Sequence, residues 1–160
     1  MTIRDYLESR HVWFEMKLHP PASSASKLAQ AVHVPGRFVA KGVLVDAGGP
    51  YVLAVLPATS MIDLDRLAQS LNGQPLRIAT EDEVERVFGN CERGALPPFG
   101  RLYGLTTLVD SSLAGDSEIT FVGNQRHEGV RMRYRDYESL ETPIRARFAT
   151  TPGRSERRAG

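Results

Sequence analysis

One cysteine, Cys91, is all the thiol the 160 residues contain. A single thiol excludes an intrachain disulfide and a thiolate cluster, and it suits a reducing compartment. No run of about 18 apolar residues occurs, so no segment reads as a membrane-spanning helix. The opening Met-Thr-Ile-Arg-Asp lacks the basic-then-apolar pattern of a secretory signal, and the chain reads as cytoplasmic. Charge of one sign is also missing. Twenty Lys and Arg stand against 19 Asp and Glu, and a net +1 leaves only local basic patches as a route to nucleic acid. The four histidines show no His-x-x-x-His or His-x-Glu spacing, which argues against a metal site. A Gly-x-Ser-x-Gly elbow, a Gly-x-x-x-x-Gly-Lys-Ser/Thr loop and a Gly-x-Gly-x-x-Gly fingerprint are all absent. Their absence argues against a serine hydrolase, a P-loop nucleotidase and a dinucleotide enzyme. No cofactor is expected.

What is present is an ordinary globular composition, 41% hydrophobic and 24% charged, with enough length for one core. Ile3, Tyr6, Leu7 and Arg10 share a face and predict a helix over residues 2–10 with Thr2 as its cap. Val12 to Leu18 reads as a strand, stopped by His19-Pro20-Pro21. Serines at 23, 24 and 26 offer caps for a helix from Lys27 to about Val32. Two runs, Phe38 to Asp46 and Tyr51 to Leu56, are apolar on both parities and predict central strands joined as a hairpin. A helix through Leu71 follows, capped by Ser60 or Asp63, and then a short strand at Leu76 to Ile78. Thr80 and Glu83 form a capping box for a helix ending at Gly89. Strands are predicted over 105–112, 118–122 and 129–134, with a short helix over 137–141. The pattern predicts a single α/β domain over 1–148 built on a mixed sheet or barrel, followed by an Arg-rich tail over 149–160.

Four features could carry chemistry. The segment Gly94-Ala-Leu-Pro-Pro-Phe-Gly100 combines glycine freedom with proline rigidity, so it can aim backbone N–H groups or serve as a stiff connector. Lys41 stands in an apolar strand beside Gly42. It either reaches water from a strand end or faces a pocket, because an unpaired buried ammonium is costly. The turn Gly123 to Gly129 holds Asn124, Gln125, Arg126, His127 and Glu128, a polar set that fits a binding loop or a plain surface turn. Cys91 precedes the Gly/Pro loop without any motif that would make it a nucleophile.

Together these pieces resemble a known family. Val-Ala-Lys41-Gly-Val-Leu-Val, its hairpin partner ending at Pro57, Gly94-Ala-Leu-Pro-Pro98 and Gly123-Asn-Gln-Arg-His127 occur in an order similar to the YbaK family. These are aminoacyl-tRNA deacylases related to the editing domain of bacterial prolyl-tRNA synthetases. The resemblance covers about residues 1–141. It implies a mixed β-barrel flanked by helices, with a pocket at its mouth. It also implies hydrolysis, without a metal, of the ester that joins a wrongly attached small amino acid to tRNA. Lys41 matches the family's functional lysine, Gly94 and Pro98 its Gly-x-x-x-Pro loop, and His127 falls where some members carry a functional histidine. The expected catalytic set is Lys41, Gly94, Ala95, Leu96 and Pro98. The expected substrate-binding set is Gly42, Phe99, Gly123, Asn124, Arg126 and His127, and Arg93, Arg101, Arg131 and Arg133 are further candidates for phosphate contacts. The implied partners are the aminoacylated acceptor end of tRNA and an aminoacyl-tRNA synthetase. A non-catalytic tRNA- or nucleotide-binding module of the same fold is the alternative.

Overall fold

The predicted hairpin sits at the centre of the computed structural model, which describes residues 1–151. In chain order the elements begin with α1 (Ile3–Ser9), β1 (Phe14–Leu18), α2 (Ala25–Val32), β2 (Ala40–Asp46) and β3 (Tyr51–Pro57). They continue with β4 (Met61–Ile62), α3 (Leu64–Gln69), β5 (Arg77–Ile78), α4 (Glu81–Val87) and β6 (Thr106–Asp110). The last are β7 (Glu118–Val122), β8 (Glu128–Arg133), α5 (Tyr134–Glu141), β9 (Ile144–Ala146) and β10 (Ala149–Thr150). Single turns of 3-10 helix lie at Gly36–Phe38 and Gly100–Tyr103.

The local signals act where they are expected. Thr2 and Ser24 accept the N–H groups of Asp5 and Lys27. Thr80 and Glu83 close the capping box at the start of α4. The two runs apolar on both parities are covered on both faces. They lie inside a five-stranded sheet of order β5-β2-β3-β6-β9. β2 pairs antiparallel with β3 and β5, whereas β3–β6 and β6–β9 are parallel. A second sheet of order β1-β8-β7 is antiparallel throughout. A parallel bridge between Val39 and Thr120 is where the two sheets meet. Among the described residues the strand ladders do not close, so the structure is a mixed α/β fold of separate sheets and no closed barrel forms.

Two other expectations shift. The helix predicted from Tyr137 begins at Tyr134 instead. Strand alternation and the helical face of Tyr134, Tyr137 and Glu141 both point Tyr134 inward, so the pattern alone cannot separate the two. The tail boundary drawn at 148 cuts through a ladder, because Ala149 and Thr150 pair with Ile62 and Met61. Residues 152–160 of the expected tail lie outside the described residues.

The main core fills the space between the sheets. Phe99 is its aromatic hub, with ring centroids 6.0 Å from Tyr6, 5.4 Å from Phe121 and 5.1 Å from Tyr137. A second cluster on the far side of the hairpin packs Val45, Val52, Ala54, Leu56, Leu67, Leu108 and Phe148.

Candidate functional site

Lys41 enters β2 opposite Leu56, and Gly42 opposite Val55. The Lys41 ammonium donates to the carbonyls of Ser60 at 2.6 Å and Ala58 at 3.5 Å. These carbonyls belong to the turn after β3, which the pairing of β2 with β3 brings alongside. Burial lowers the Lys41 pKa from its ordinary value. Gly42 accommodates a close approach. A Cβ at this position would lie 3.2 Å from both Leu53 Cδ1 and Leu96 Cδ2, so its absence lets the Gly/Pro loop pack onto the strand.

That loop is anchored at both ends. Near its start, the Ala95 N–H donates to the Glu92 carbonyl at 2.9 Å, and the Glu92 N–H donates to the Asn124 carbonyl at 2.8 Å. At its far end the buried Tyr137 hydroxyl donates to the Pro98 carbonyl at 2.8 Å. The Gly100 N–H donates to Thr107 Oγ1 at 3.2 Å, and Thr107 donates onward to the Glu141 carboxylate. A Cβ on Gly100 would fall 2.4 Å from Thr107 Oγ1, so only glycine fits. Burial raises the Glu141 pKa, partly offset by hydrogen bonds from Thr107 and the Arg101 N–H. Gly94 has φ +92°, a conformation that favours glycine.

These elements enclose a cavity of about 190 Å³. Its walls are Ala22, Ser24, Ala25 and Leu28 at the start of α2, Ala40, Lys41 and Gly42 on β2, Gly94 and Leu96 on the loop, and Val122 on β7. Lys41 and the loop therefore line one space. Among the described residues the N–H groups of Gly94 and Leu96 have no intramolecular acceptor, whereas that of Ala95 is already taken. A second cavity of about 160 Å³ lies against the same loop, between it and α4, lined by Val84, Phe88 and Cys91 among others. Lys41 is not in its lining.

Several expected site residues lie elsewhere. Phe99 is fully buried as the core hub and does not reach the cavity, because its ring is needed between α1, β7 and α5. Pro98 is buried behind the loop, where its carbonyl receives Tyr137. Asn124 is 5% exposed and spends its side chain on structure, with Oδ1 accepting from the Ile3 N–H at 2.7 Å and Nδ2 reaching Cys91 Sγ at 3.5 Å. Gly123 is buried, and a Cβ there would meet Glu128 Oε1 at 2.8 Å. Arg126 is paired with Glu92 at 3.0 Å. The His127 carbonyl accepts from the His19 N–H at 3.0 Å, and His127 is not in the cavity lining. The helical wall of Ala22 to Leu28 was missed. Its signal is a cluster of small residues, Ala22-Ser-Ser-Ala25, where a packing helix start would carry larger ones.

Most arginines proposed for phosphate contacts are already engaged. Arg93 bridges Glu81, Asp82 and Glu85, and Arg131 pairs with Glu15 at 3.1 Å. The Arg101 guanidinium donates to Thr142, and that of Arg133 lies 5.5 Å from the Trp13 ring centre. Burial pushes the Cys91 thiol up, which leaves it a poor nucleophile. Among the described residues no three His, Cys, Asp or Glu side chains gather closely enough to hold a metal ion.

The aminoacyl-tRNA editing domain family matches residues 19–140, which span every wall of this cavity. The chain belongs to the aminoacyl-tRNA editing domain family. Solved structures agree on the fold of this editing domain. The crystal structure of hypothetical protein APE2540 aligns with TM-score 0.83 at 18% identity, over 92% of this chain and 99% of that one. A candidate trans-editing enzyme for prolyl-tRNA synthetase aligns with TM-score 0.78 at 25% identity, over 92% and 94%. A Marinobacter aquaeolei VT8 protein named for signal transduction carries the same fold in 30% of its chain, with TM-score 0.72, 20% identity and 92% of this chain covered. No curated protein matches the chain.

Proposed function

We propose that this editing domain is an aminoacyl-tRNA deacylase that removes small, wrongly attached amino acids from tRNA. The observation that carries this reading is the cavity that Lys41 shares with Gly94 and Leu96. An aminoacyl ester is already activated, so its hydrolysis needs a positioned water and a place for the developing oxyanion more than a strong protein nucleophile. The N–H groups of Gly94 and Leu96 serve as the oxyanion donors, and those without an internal acceptor suit the task best. Water attacks the carbonyl carbon, the tetrahedral adduct collapses, and the ribose oxygen leaves with a proton. The products are the free amino acid and uncharged tRNA. Lys41 supplies the positive charge that holds the acceptor end, with its ammonium oriented by the Ser60 carbonyl. The walls of Ala22, Ala25, Ala40 and Gly42 favour a small side chain over a large one. The candidate trans-editing enzyme of similar fold supports the same reaction class.

The test is deacylation of alanyl-, seryl- and cysteinyl-tRNA. At least one should be turned over, with a loss on the order of 100-fold in kcat/KM for Lys41→Ala, the scale seen when a transition-state contact is removed. No turnover across the panel, or full activity in Lys41→Ala, would overturn the reading.

A further inference from the structure

We propose that Glu92 and Arg126 form a clasp that fixes the width of the cavity and so selects aminoacyl side chains by size; this rests on the ester-hydrolysis reading above. Neither residue lines the cavity, yet Arg126 holds two of its walls. Its carbonyl accepts from the Ala22 N–H at 3.2 Å, which ties down the entry to α2. Its own N–H and its Nε both donate to Glu92 Oε1 at 3.0 Å. The Glu92 backbone carbonyl accepts from the Ala95 N–H and its backbone N–H donates to the Asn124 carbonyl, so the main chain fastens the Gly94–Leu96 wall to the turn after β7 and the carboxylate adds the tie to Arg126. The arginine stem completes the contact. A Cβ on Gly94 would lie only 3.1 Å from Arg126 Cδ, so the stem packs directly behind the oxyanion wall.

The path from Ala22 to Gly94 therefore runs through the backbones of Arg126 and Glu92, and the carboxylate–guanidinium contact closes it at 3.0 Å. Both are on the surface, with side chains 37% and 43% exposed. Exposed ion pairs contribute little to global stability. Removing the carboxylate loosens the walls without unfolding the domain. Glu92 and Arg126 are positioning residues, acting through Gly94 and Ala22.

A phosphate-binding Arg126 predicts something different, because Glu92→Ala would then free the guanidinium and leave size selection alone. The deciding experiment measures kcat/KM for alanyl-tRNA and for valyl-tRNA with the full-length wild type, Glu92→Ala and Glu92→Gln, alongside thermal melting. Discrimination by a few methyl groups in a pocket is on the order of tenfold to a hundredfold. Glu92→Ala is expected to lower the alanyl-to-valyl ratio by about tenfold while melting close to the wild type. Glu92→Gln keeps an acceptor at Oε1 and should fall between the two. An unchanged ratio in Glu92→Ala, or an equal loss on both esters, overturns the clasp while leaving the deacylase reading intact. A wild type that hydrolyses neither of these esters overturns the clasp, and one that also leaves seryl- and cysteinyl-tRNA intact overturns both.

Discussion

On the proposed reading, Lys41 concentrates the chemistry of the site in one side chain. It is an ammonium on a strand whose neighbours Val39, Ala40 and Leu44 are buried, and the Ser60 and Ala58 carbonyls compensate its charge. Burial disfavours the charged form, so Lys41 loses its proton at a lower pH than a free lysine. The unfolded chain binds that proton more tightly, so between the folded and unfolded pKa values stability rises with pH, while the useful charge is lost. The expected profile of kcat/KM, corrected for uncatalysed ester hydrolysis, falls on its alkaline side below the ordinary lysine value of 10.5. Lys41→Arg, permanently charged, should abolish that fall. A fall that persists unchanged in Lys41→Arg would show that another group titrates. The candidacy of Lys41 was legible in the sequence because a charge inside an apolar run is conspicuous. Its tether was not, since the carbonyls come from a turn 17 and 19 residues away.

Elements with their own local signals were legible, and those held by distant groups were not. The hairpin, the Thr80 capping box and the Gly/Pro loop follow from neighbouring residues. The strands β9 and β10 do not, because each is short: Ile144-Arg-Ala carries no alternation that marks a strand, and Ala149-Thr falls in the stretch expected to be tail. They are held instead by Asp110 at the end of β6. Its Oδ1 accepts the N–H groups of Phe148 at 2.8 Å and Ala149 at 2.9 Å, while Oδ2 takes Ser112. Burial pushes the Asp110 carboxyl up, and the hydrogen bonds from Ser112, Phe148 and Ala149 outweigh it and hold it below the ordinary value. The sign follows: Asp110 adds stability above the unfolded carboxyl pKa, and that part is lost as pH falls through the lower folded one. Asp110→Ala strands the buried Phe148 N–H, a cost of about 1–3 kcal/mol. Chemical denaturation should detect that loss, together with faster amide exchange at Phe148 and Ala149. Wild-type stability and exchange in this variant would contradict the role given to Asp110.

At the scale of the molecule, two sheets meet at Val39 and Thr120 close to the cavity. The lysine strand, the start of α2 and the Gly/Pro loop converge where the first sheet passes into the second. The family and the order of its motifs were readable in the chain. Which side of each loop faces the cavity was not, for that depends on packing across the whole domain. Phe99 and Asn124 show why. One is an apolar residue beside the loop and the other a polar residue in a turn, so both look like ligands. The fold uses the first as a core hub and the second as a brace for Ile3. The alternative of a binding module without catalysis would use the same cavity and differ only in turnover. Release of labelled alanine from alanyl-tRNA, with substrate in large excess over protein, separates the two most directly. Many alanines released per protein molecule, and few from Lys41→Ala, is the predicted result. Saturable binding of alanyl-tRNA with no release above the uncatalysed rate would contradict it.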